Sequence, residues 1–300
     1  HGFPEKDPIQ PHYFWDSDVA KWMEGAAYIL ANHSDPALEA KVDEIVEDIA
    51  ANQHEDGYFN IFFTVVQPEN RWKNRDWHEL YCAGHLMEAA CAYYEATGRD
   101  RFLKAVCRFA DLIEKVFKTE NSAPFVTGGH PELELALVKL YRATGEKRYL
   151  ELSKHFIDRH GQPDSDRVLG PGWAAADYNQ DSIPLRERIV ADGHSVRAQY
   201  LYCGMIDVGM EYGDEELIAA CRRIFSNIVN KRMYITGGTG SAHHGEAFTV
   251  DYHLPNRTAY AETCAALYAG GNLAVILIEQ LMGIQIQVQD ADHFLAIFHH

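Results

Sequence analysis

The sequence predicts an all-α fold of stacked helical hairpins that close into an α/α toroid. Helical spacing of apolar residues dominates the chain, a ten-residue segment returns after 47 residues, and long loops alternate with short turns. A single hairpin cannot bury its own apolar face, so a period near 50 residues indicates stacked hairpins. An open superhelix is the alternative. Loops rich in Trp, Tyr, His and acidic residues favour the toroid, in which they would surround a central pocket.

The repeat marks the boundaries between paired helices. The segment 94–103 reads YEATGRDRFL, the segment 141–150 reads YRATGEKRYL, and residues 211–217 carry a weaker echo. Gly98 and Gly145 stand where a helix C-terminus favours a left-handed residue. Each copy therefore contains a helix end, a short turn and the start of the next helix.

Ten helices, or about five hairpins, follow from these signals. We predict helices at residues 16–31, 36–52, 77–97, 100–117, 131–144, 147–160, 193–212, 214–230, 257–269 and 272–282. Long loops at 53–76, 161–191 and 231–256 would gather on one side of a toroid, where loops usually carry function.

The composition excludes several classes of function. The 300 residues include 27 Lys and Arg against 44 Asp and Glu, giving a net charge of −17. This acidity disfavours both nucleic acid and an anionic membrane surface as partners, since both attract basic faces. The stretch 273–288 is too short and too polar to span a bilayer. Six scattered cysteines indicate free thiols and a cytoplasmic protein.

Histidines recur at predicted helix starts. His78, His130 and His194 each lie beside the beginning of a helix, the last two directly after glycine. One such histidine is more often structural, but three at equivalent positions favour a shared rim. The loop Gln53–Phe59 leaves two interpretations open: sugar-gripping polar and aromatic side chains, or a plain Asp-Gly turn with core aromatics.

One acidic residue lies in the last long loop, and a second follows that loop. The glycine-rich run 237–245 lacks the Lys of a phosphate loop, but it leads to Glu246, and Glu262 follows sixteen residues later. Paired carboxylates are typical of glycoside hydrolysis, with one of them acting as proton donor. Glu262 and Cys264 would face one metal ion in an extended segment, although zinc prefers four ligands. The alternative is a glutamate at a helix N-terminus followed by a buried cysteine.

Several motifs together resemble glycoside hydrolase family 127, the β-L-arabinofuranosidase family. They lie in Phe14–Trp22, His78–His85, Thr127–His130, Gly193–Ala198 and Gly245–Cys264. The resemblance implies an (α/α)6 catalytic barrel over residues 1–266, possibly incomplete, with a divergent tail at 267–300. It also implies a retaining hydrolase that removes terminal L-arabinofuranose from an oligosaccharide.

The resemblance further assigns roles to single residues. Glu246 is similar to the family's acid/base, Glu262 and Cys264 to two zinc ligands, and His78, His130 and His194 to contacts with sugar hydroxyls. The family's zinc takes two further cysteines, one of which is the nucleophile, and this chain has no cysteine after Cys264. We therefore expect the zinc-thiolate nucleophile to be missing from this chain.

Two alternatives to this hydrolase remain. One is a non-catalytic carbohydrate-binding remnant of the same family, which would hold a furanose without cleaving it. The other is a different α/α-barrel sugar enzyme, such as a 2-epimerase-like protein or an unsaturated glucuronyl hydrolase. Neither of these enzymes gives the Glu262-Thr263-Cys264 segment a role.

Overall fold

A computed structural model describes residues 11–162, 176–242 and 244–256, and the backbone of Glu262–Thr263. The chain folds as two compact units. The first unit contains residues 1–155 and 165–170, and the second contains residues 156–164 and 171–300.

The first unit is built around one central helix. Its helices are α1 (Trp15–Asn32), α2 (Pro36–Asn52), α3 (Phe62–Val65), α4 (Glu79–Thr97), α5 (Arg101–Glu114), α6 (Leu133–Thr144) and the start of α7 (Lys147–Arg159). Helices α1, α5 and α6 all pack on α4, while α2 packs on α1 and α5. Because α4 is surrounded, it is buried on every face from Glu79 to Tyr93.

Local sequence explains where these helices begin and how they face the core. Asp35 accepts hydrogen bonds from the backbone N–H groups of Ala37 and Leu38, at 3.1 and 3.0 Å, and Pro36 occupies the first turn of α2. On α5 the buried apolar residues follow helical spacing: Phe102, Leu103, Ala105, Val106, Phe109, Ala110, Leu112 and Ile113. The other face of α5 is charged, as expected for an outer helix.

The repeated glycines end helices as the sequence predicts. Gly98 has φ +72° and its N–H donates to Tyr94 O at 2.8 Å, while Gly145 has φ +76° and donates to Tyr141 O at 2.7 Å. Only glycine adopts this left-handed conformation without steric cost. The two copies of the repeat are therefore the same structural device, a hairpin turn.

The second unit contains one further hairpin and a small sheet. Helix α8 (Ser195–Tyr212) ends at Gly213, and α9 (Glu215–Asn227) packs against it. The strands β1 (Gly238–Thr239) and β2 (Glu262–Thr263) pair antiparallel. Among the described residues, no helix is long and apolar enough to cross a membrane.

The all-α class is confirmed, and most predicted helices agree with the structure to within a few residues. The short helix α3 inside the predicted loop 53–76 was not predicted. The predicted helix at 257–269 is wrong at Glu262–Thr263, which form β2. Pairing with β1, whose residues lie 23 and 25 positions earlier than their partners, supplies hydrogen bonds that a local helical pattern cannot reveal. The helix predicted at 272–282 lies outside the described residues.

Candidate active site

In the first unit, His78 and His130 lie side by side. Their ring centroids are 5.4 Å apart, and the ring of Tyr81 lies 4.2 Å from His130 and 5.3 Å from His78. Tyr13 and Phe14 contact His78 from its other side, at 5.4 and 5.7 Å. The structure therefore brings together two of the three predicted histidines, within an aromatic wall.

Both histidines are held by backbone carbonyl groups. His78 Nδ1 lies 2.7 Å from Asp76 O, and His130 Nδ1 lies 3.0 Å from Pro131 O. A carbonyl oxygen can only accept, so Nδ1 carries a proton, and in the neutral form of each ring Nε2 is the acceptor. Two such acceptors suit a ligand that offers hydroxyl groups.

His78 and His130 differ in their position relative to the helix that follows each of them. His78 is the N-cap residue of α4, in a left-handed conformation with φ +61°. His130 lies three residues before α6, whose N-cap is Glu132, so the helix begins two residues later than the predicted start at 131.

The loop Gln53–Phe59 forms a turn with core aromatics. Gly57 has φ +94°, and Asp56 Oδ1 accepts from Tyr58 N at 3.1 Å. Tyr58 is fully buried and Phe59 is 9% exposed. The structure therefore favours the plain-turn interpretation over a sugar-gripping loop.

Glu79, the residue after His78, is a buried acid that sequence reasoning missed. Tyr58 Oη donates to Glu79 Oε1 at 2.5 Å, and Trp72 N donates to Oε2 at 2.9 Å. The Arg71 guanidinium covers the Tyr58 ring at 3.8 Å. Burial raises the pKa of Glu79 to about 7. Glu79 thus ties the loop before α4 to the helix that carries His78.

The raised pKa of Glu79 predicts a pH-dependent stability. Below about pH 4.5 the carboxyl is protonated in both states, whereas between pH 4.5 and 7 only the unfolded chain ionises. Stability therefore falls as pH rises through this window, by at most about 3 kcal/mol for this one group. In the Glu79→Gln variant, the amide still bonds Tyr58 and Trp72 but does not titrate.

We expect the free energy of unfolding of Glu79→Gln to rise relative to the original chain between pH 4.5 and 7. Urea titrations at several pH values measure this difference. The matched control is Glu44→Gln, at a side chain that is 64% exposed. If both variants show the same pH dependence, Glu79 does not titrate in the native state as described.

A second buried group lies deeper in the first unit. His85, Glu88 and Glu132 each place one potential metal-ligating atom within 4.8 Å of the others. His85 Nδ1 lies 3.6 Å from Glu88 and 3.5 Å from Glu132, and Lys139 Nζ forms an ion pair with Glu88. A side chain at Gly84 would overlap the Glu132 carboxyl. None of the predicted zinc ligands belongs to this buried acid cluster.

The charges of the buried acid cluster balance without a metal ion. Burial opposes ionisation of Glu88, but the Lys139 ammonium, a hydrogen bond with Glu132 and the nearby His85 together lower the pKa of Glu88 to about 2. Burial and the neighbouring Glu88 charge raise the pKa of Glu132, and burial lowers the pKa of His85 to about 3. One carboxylate therefore faces one ammonium, beside a neutral acid and a neutral imidazole.

In the second unit, His194 contacts Glu246. His194 is the N-cap residue of α8, and its Nε2 lies 2.7 Å from Glu246 Oε2. The backbone N–H of Ser195 donates to Glu246 O at 2.8 Å, and that of Phe248 donates to Gly193 O at 2.8 Å. The loop carrying Glu246 is therefore pinned to the start of α8.

Glu246 itself has a strained backbone. Its φ of +51° is a left-handed conformation that non-glycine residues rarely adopt. Such conformations cost about 1–3 kcal/mol and cluster at active sites. The Glu246 side chain is 40% exposed, whereas that of His194 is 7% exposed. Burial and the nearby Arg197 charge lower the pKa of His194 to about 4, so the imidazole is neutral at pH 7.

The backbone of Glu262 approaches the same helix end. It pairs with Thr239 in the sheet, and Thr239 Oγ1 lies 2.5 Å from Ser195 Oγ, directly after His194. The side chain of Glu262 and all of Cys264 lie outside the described residues. Their assignment as zinc ligands therefore stays a prediction.

Comparisons with known proteins agree in pointing to one family. Residues 8–279 match the family model described as β-L-arabinofuranosidase, GH127 catalytic domain. The chain is 43% identical over 280 residues to the non-reducing end β-L-arabinofuranosidase of Bifidobacterium longum subsp. longum, covering 87% of this chain and 42% of that protein.

Two solved structures are similar as well. One is a GH127 β-L-arabinofuranosidase from Geobacillus stearothermophilus T6, with a TM-score of 0.84 and 45% identity, covering 91% of this chain and 45% of that chain. The other is a GH127 β-arabinofuranosidase, with a TM-score of 0.77 and 35% identity, covering 92% and 43%. The chain spans less than half the length of each of these relatives.

Proposed function

The chain belongs to glycoside hydrolase family 127, and from this membership we propose that it hydrolyses terminal β-L-arabinofuranosides with Glu246 as acid/base. The observation that carries the proposal is the placement of Glu246. Its backbone is strained, its carbonyl accepts from Ser195, and its carboxyl is held by His194. A partly exposed acid held so firmly suits proton transfer to a bound ligand.

The proposed reaction requires Glu246 to donate a proton to the leaving oxygen. When the glycosidic C–O bond breaks, its electron pair goes to the leaving oxygen, which takes the proton from Glu246. Over the whole cycle, water supplies the hydroxyl that ends on the anomeric carbon and returns a proton to Glu246. The stereochemical course proposed is retention, as the family resemblance implies. In that course a thiolate, which this sequence does not contain, would bond to the anomeric carbon as the C–O bond breaks, and water would then displace it.

His78 and His130 are proposed to bind sugar hydroxyls. Their Nδ1 atoms are committed to backbone carbonyls, so their Nε2 atoms can accept from O–H groups. The aromatic side chains around them, Tyr81, Tyr13 and Phe14, can cover the apolar face of a sugar ring. The same family resemblance assigns His194 to a sugar hydroxyl, but its Nε2 lies 2.7 Å from Glu246 Oε2.

Zinc is proposed as the cofactor, with Glu262 and Cys264 as ligands. The extended backbone of Glu262–Thr263 supports this assignment, because residues i and i+2 of a strand point to the same side. Zinc would keep a ligating thiol ionised at neutral pH. Two of the four expected ligands are present in this sequence, and the attacking thiolate is not among them.

The proposed substrate is an oligosaccharide that ends in L-arabinofuranose, and the proposed compartment is the cytoplasm. Four of the five described cysteines are buried thiols. Reduced, buried thiols support a reducing compartment.

Hydrolysis of 4-nitrophenyl β-L-arabinofuranoside tests the proposal, with the α-L anomer as control. Because the chain spans less than half the length of its relatives, two proteins are assayed. One is the chain as it stands, and the other is the chain joined to the remaining length of the Geobacillus relative. Release of nitrophenol from the β anomer alone supports the function. A folded joined protein without activity contradicts it, and calorimetric binding of L-arabinose oligomers without release would favour a binding protein.

A further inference from the structure

We propose that His194 is a positioning residue for Glu246: it binds Oε2 and thereby leaves Oε1 as the atom that carries and delivers the proton. This inference rests on the proposed function and deepens it. Family resemblance alone assigns His194 to a sugar hydroxyl, whereas the geometry commits its Nε2 to the carboxyl of Glu246.

The two ring nitrogens of His194 have different partners. Nδ1 lies 3.3 Å from the backbone nitrogen of Arg197, which can only donate, so Nδ1 is the acceptor. In a neutral imidazole the proton then lies on Nε2, which donates to Glu246 Oε2 at 2.7 Å. The α8 N-terminus thus fixes the tautomer of His194.

That tautomer constrains the carboxyl of Glu246. A proton on Oε2 would point at the N–H of His194, so a protonated Glu246 carries its proton on Oε1. After the proton leaves, the same N–H stabilises the carboxylate, ready for the return step. His78 and His130 differ, because their Nδ1 atoms are the donors. The sequence presents three similar histidines, and the structure gives one of them the opposite tautomer.

The surroundings of His194 hold it rigidly. Its backbone N–H donates to Tyr178 O at 3.0 Å, and the Tyr178 ring meets the imidazole edge-on at 5.5 Å. The side-chain amide of Gln180 donates to the carbonyls of Tyr178, Asp192 and His194. The Arg197 guanidinium lies 5.0 Å from the Tyr178 ring. A residue fixed in this way can place its partner within the tolerance that proton transfer requires.

Leaving-group dependence separates a positioning role from sugar binding. A good leaving group, such as 2,4-dinitrophenolate, departs without protonation, whereas a sugar alcohol needs the acid. Because kcat/KM reports the bond-breaking step and not the later return of the proton, a residue that acts through Glu246 changes kcat/KM for the second substrate only. A residue that binds the sugar matters equally for both and raises KM.

The test compares His194→Leu with His194→Gln in the form of the protein that hydrolyses arabinofuranosides. His194→Leu removes the donor, and we expect kcat on an arabinose disaccharide to fall about 10–10²-fold. KM for the disaccharide and kcat/KM for the dinitrophenyl substrate should change little. Gln keeps an N–H near the position of Nε2 and should restore much of the rate. His253→Leu, at an exposed histidine, is the matched control.

Adding His194→Leu to Glu246→Gln should cause no further loss, because both act at one proton transfer. Equal losses on both substrates, a raised KM or additive effects would overturn the positioning role. If Glu246→Gln itself shows no leaving-group dependence, the proposed function fails instead.

A nitrogen-15 NMR spectrum of the histidines reports the tautomer of His194 and does not require enzymatic activity. We expect the His194 proton on Nε2, with a change of shift in Glu246→Gln. A proton on Nδ1 would overturn the inference even if no substrate is turned over.

Discussion

Replacing Glu246 with Gln lowers kcat on an arabinose disaccharide by about 10²–10⁴-fold, the usual contribution of a general acid. The amide has no proton to give to the leaving oxygen. The amide oxygen can still accept a hydrogen bond from His194 Nε2–H, and the backbone hydrogen bonds between the loop and α8 are unchanged. For the activated dinitrophenyl substrate, kcat/KM should fall far less, because its leaving group departs without a proton.

The matched control for this prediction is Glu216→Gln, an exposed residue on α9 of the same unit. Steady-state rates with both substrates, together with thermal unfolding, distinguish lost chemistry from lost fold. A Glu246→Gln protein that is folded and cleaves the disaccharide at the original rate would contradict the assignment of Glu246 as acid/base.

Replacing Lys139 with Met destabilises the protein by about 3–5 kcal/mol, because it leaves a buried carboxylate without its counter-charge. Glu88 is 4% exposed, and Lys139 holds its pKa low. Without the ammonium, Glu88 must either stay charged in a poorly solvated interior or take up a proton. Urea unfolding of the single variant measures the cost.

The double variant Lys139→Met/Glu88→Gln should recover part of the lost stability, since it removes both charges together. Lys104→Met is the matched control, because that side chain is 73% exposed and its ion pair with Asp100 is weak. A loss below about 1 kcal/mol for Lys139→Met would show that the buried ion pair contributes no more than a surface pair.

Features encoded within a few residues were predictable from the sequence. The helix ends at Gly98 and Gly145 follow from one left-handed residue each, and the position of His194 follows from Gly193 before a helical pattern. The family motifs marked Glu246 as the candidate acid/base, a role that stays a prediction. Each of these signals depends on neighbours in sequence, which a single chain displays directly.

Features that join distant segments were not predictable in this way. Tyr58 and Glu79 meet across 21 residues, and Glu88 and Lys139 across 51. Glu262–Thr263 form a strand because Gly238–Thr239 lie alongside, although their own pattern favours a helix. No local periodicity reports such pairings.

By itself, the sequence determined the all-α class, the hairpin boundaries and the family, since helical period, glycine caps and short motifs are local properties. Only the tertiary structure decided what the polar residues do. It placed the rings of His78 and His130 side by side, brought His194 into hydrogen-bond contact with Glu246 and paired the buried Glu88 with Lys139. The physical reason is that protonation, tautomer and charge depend on which groups lie within a few ångströms, and folding alone sets those distances.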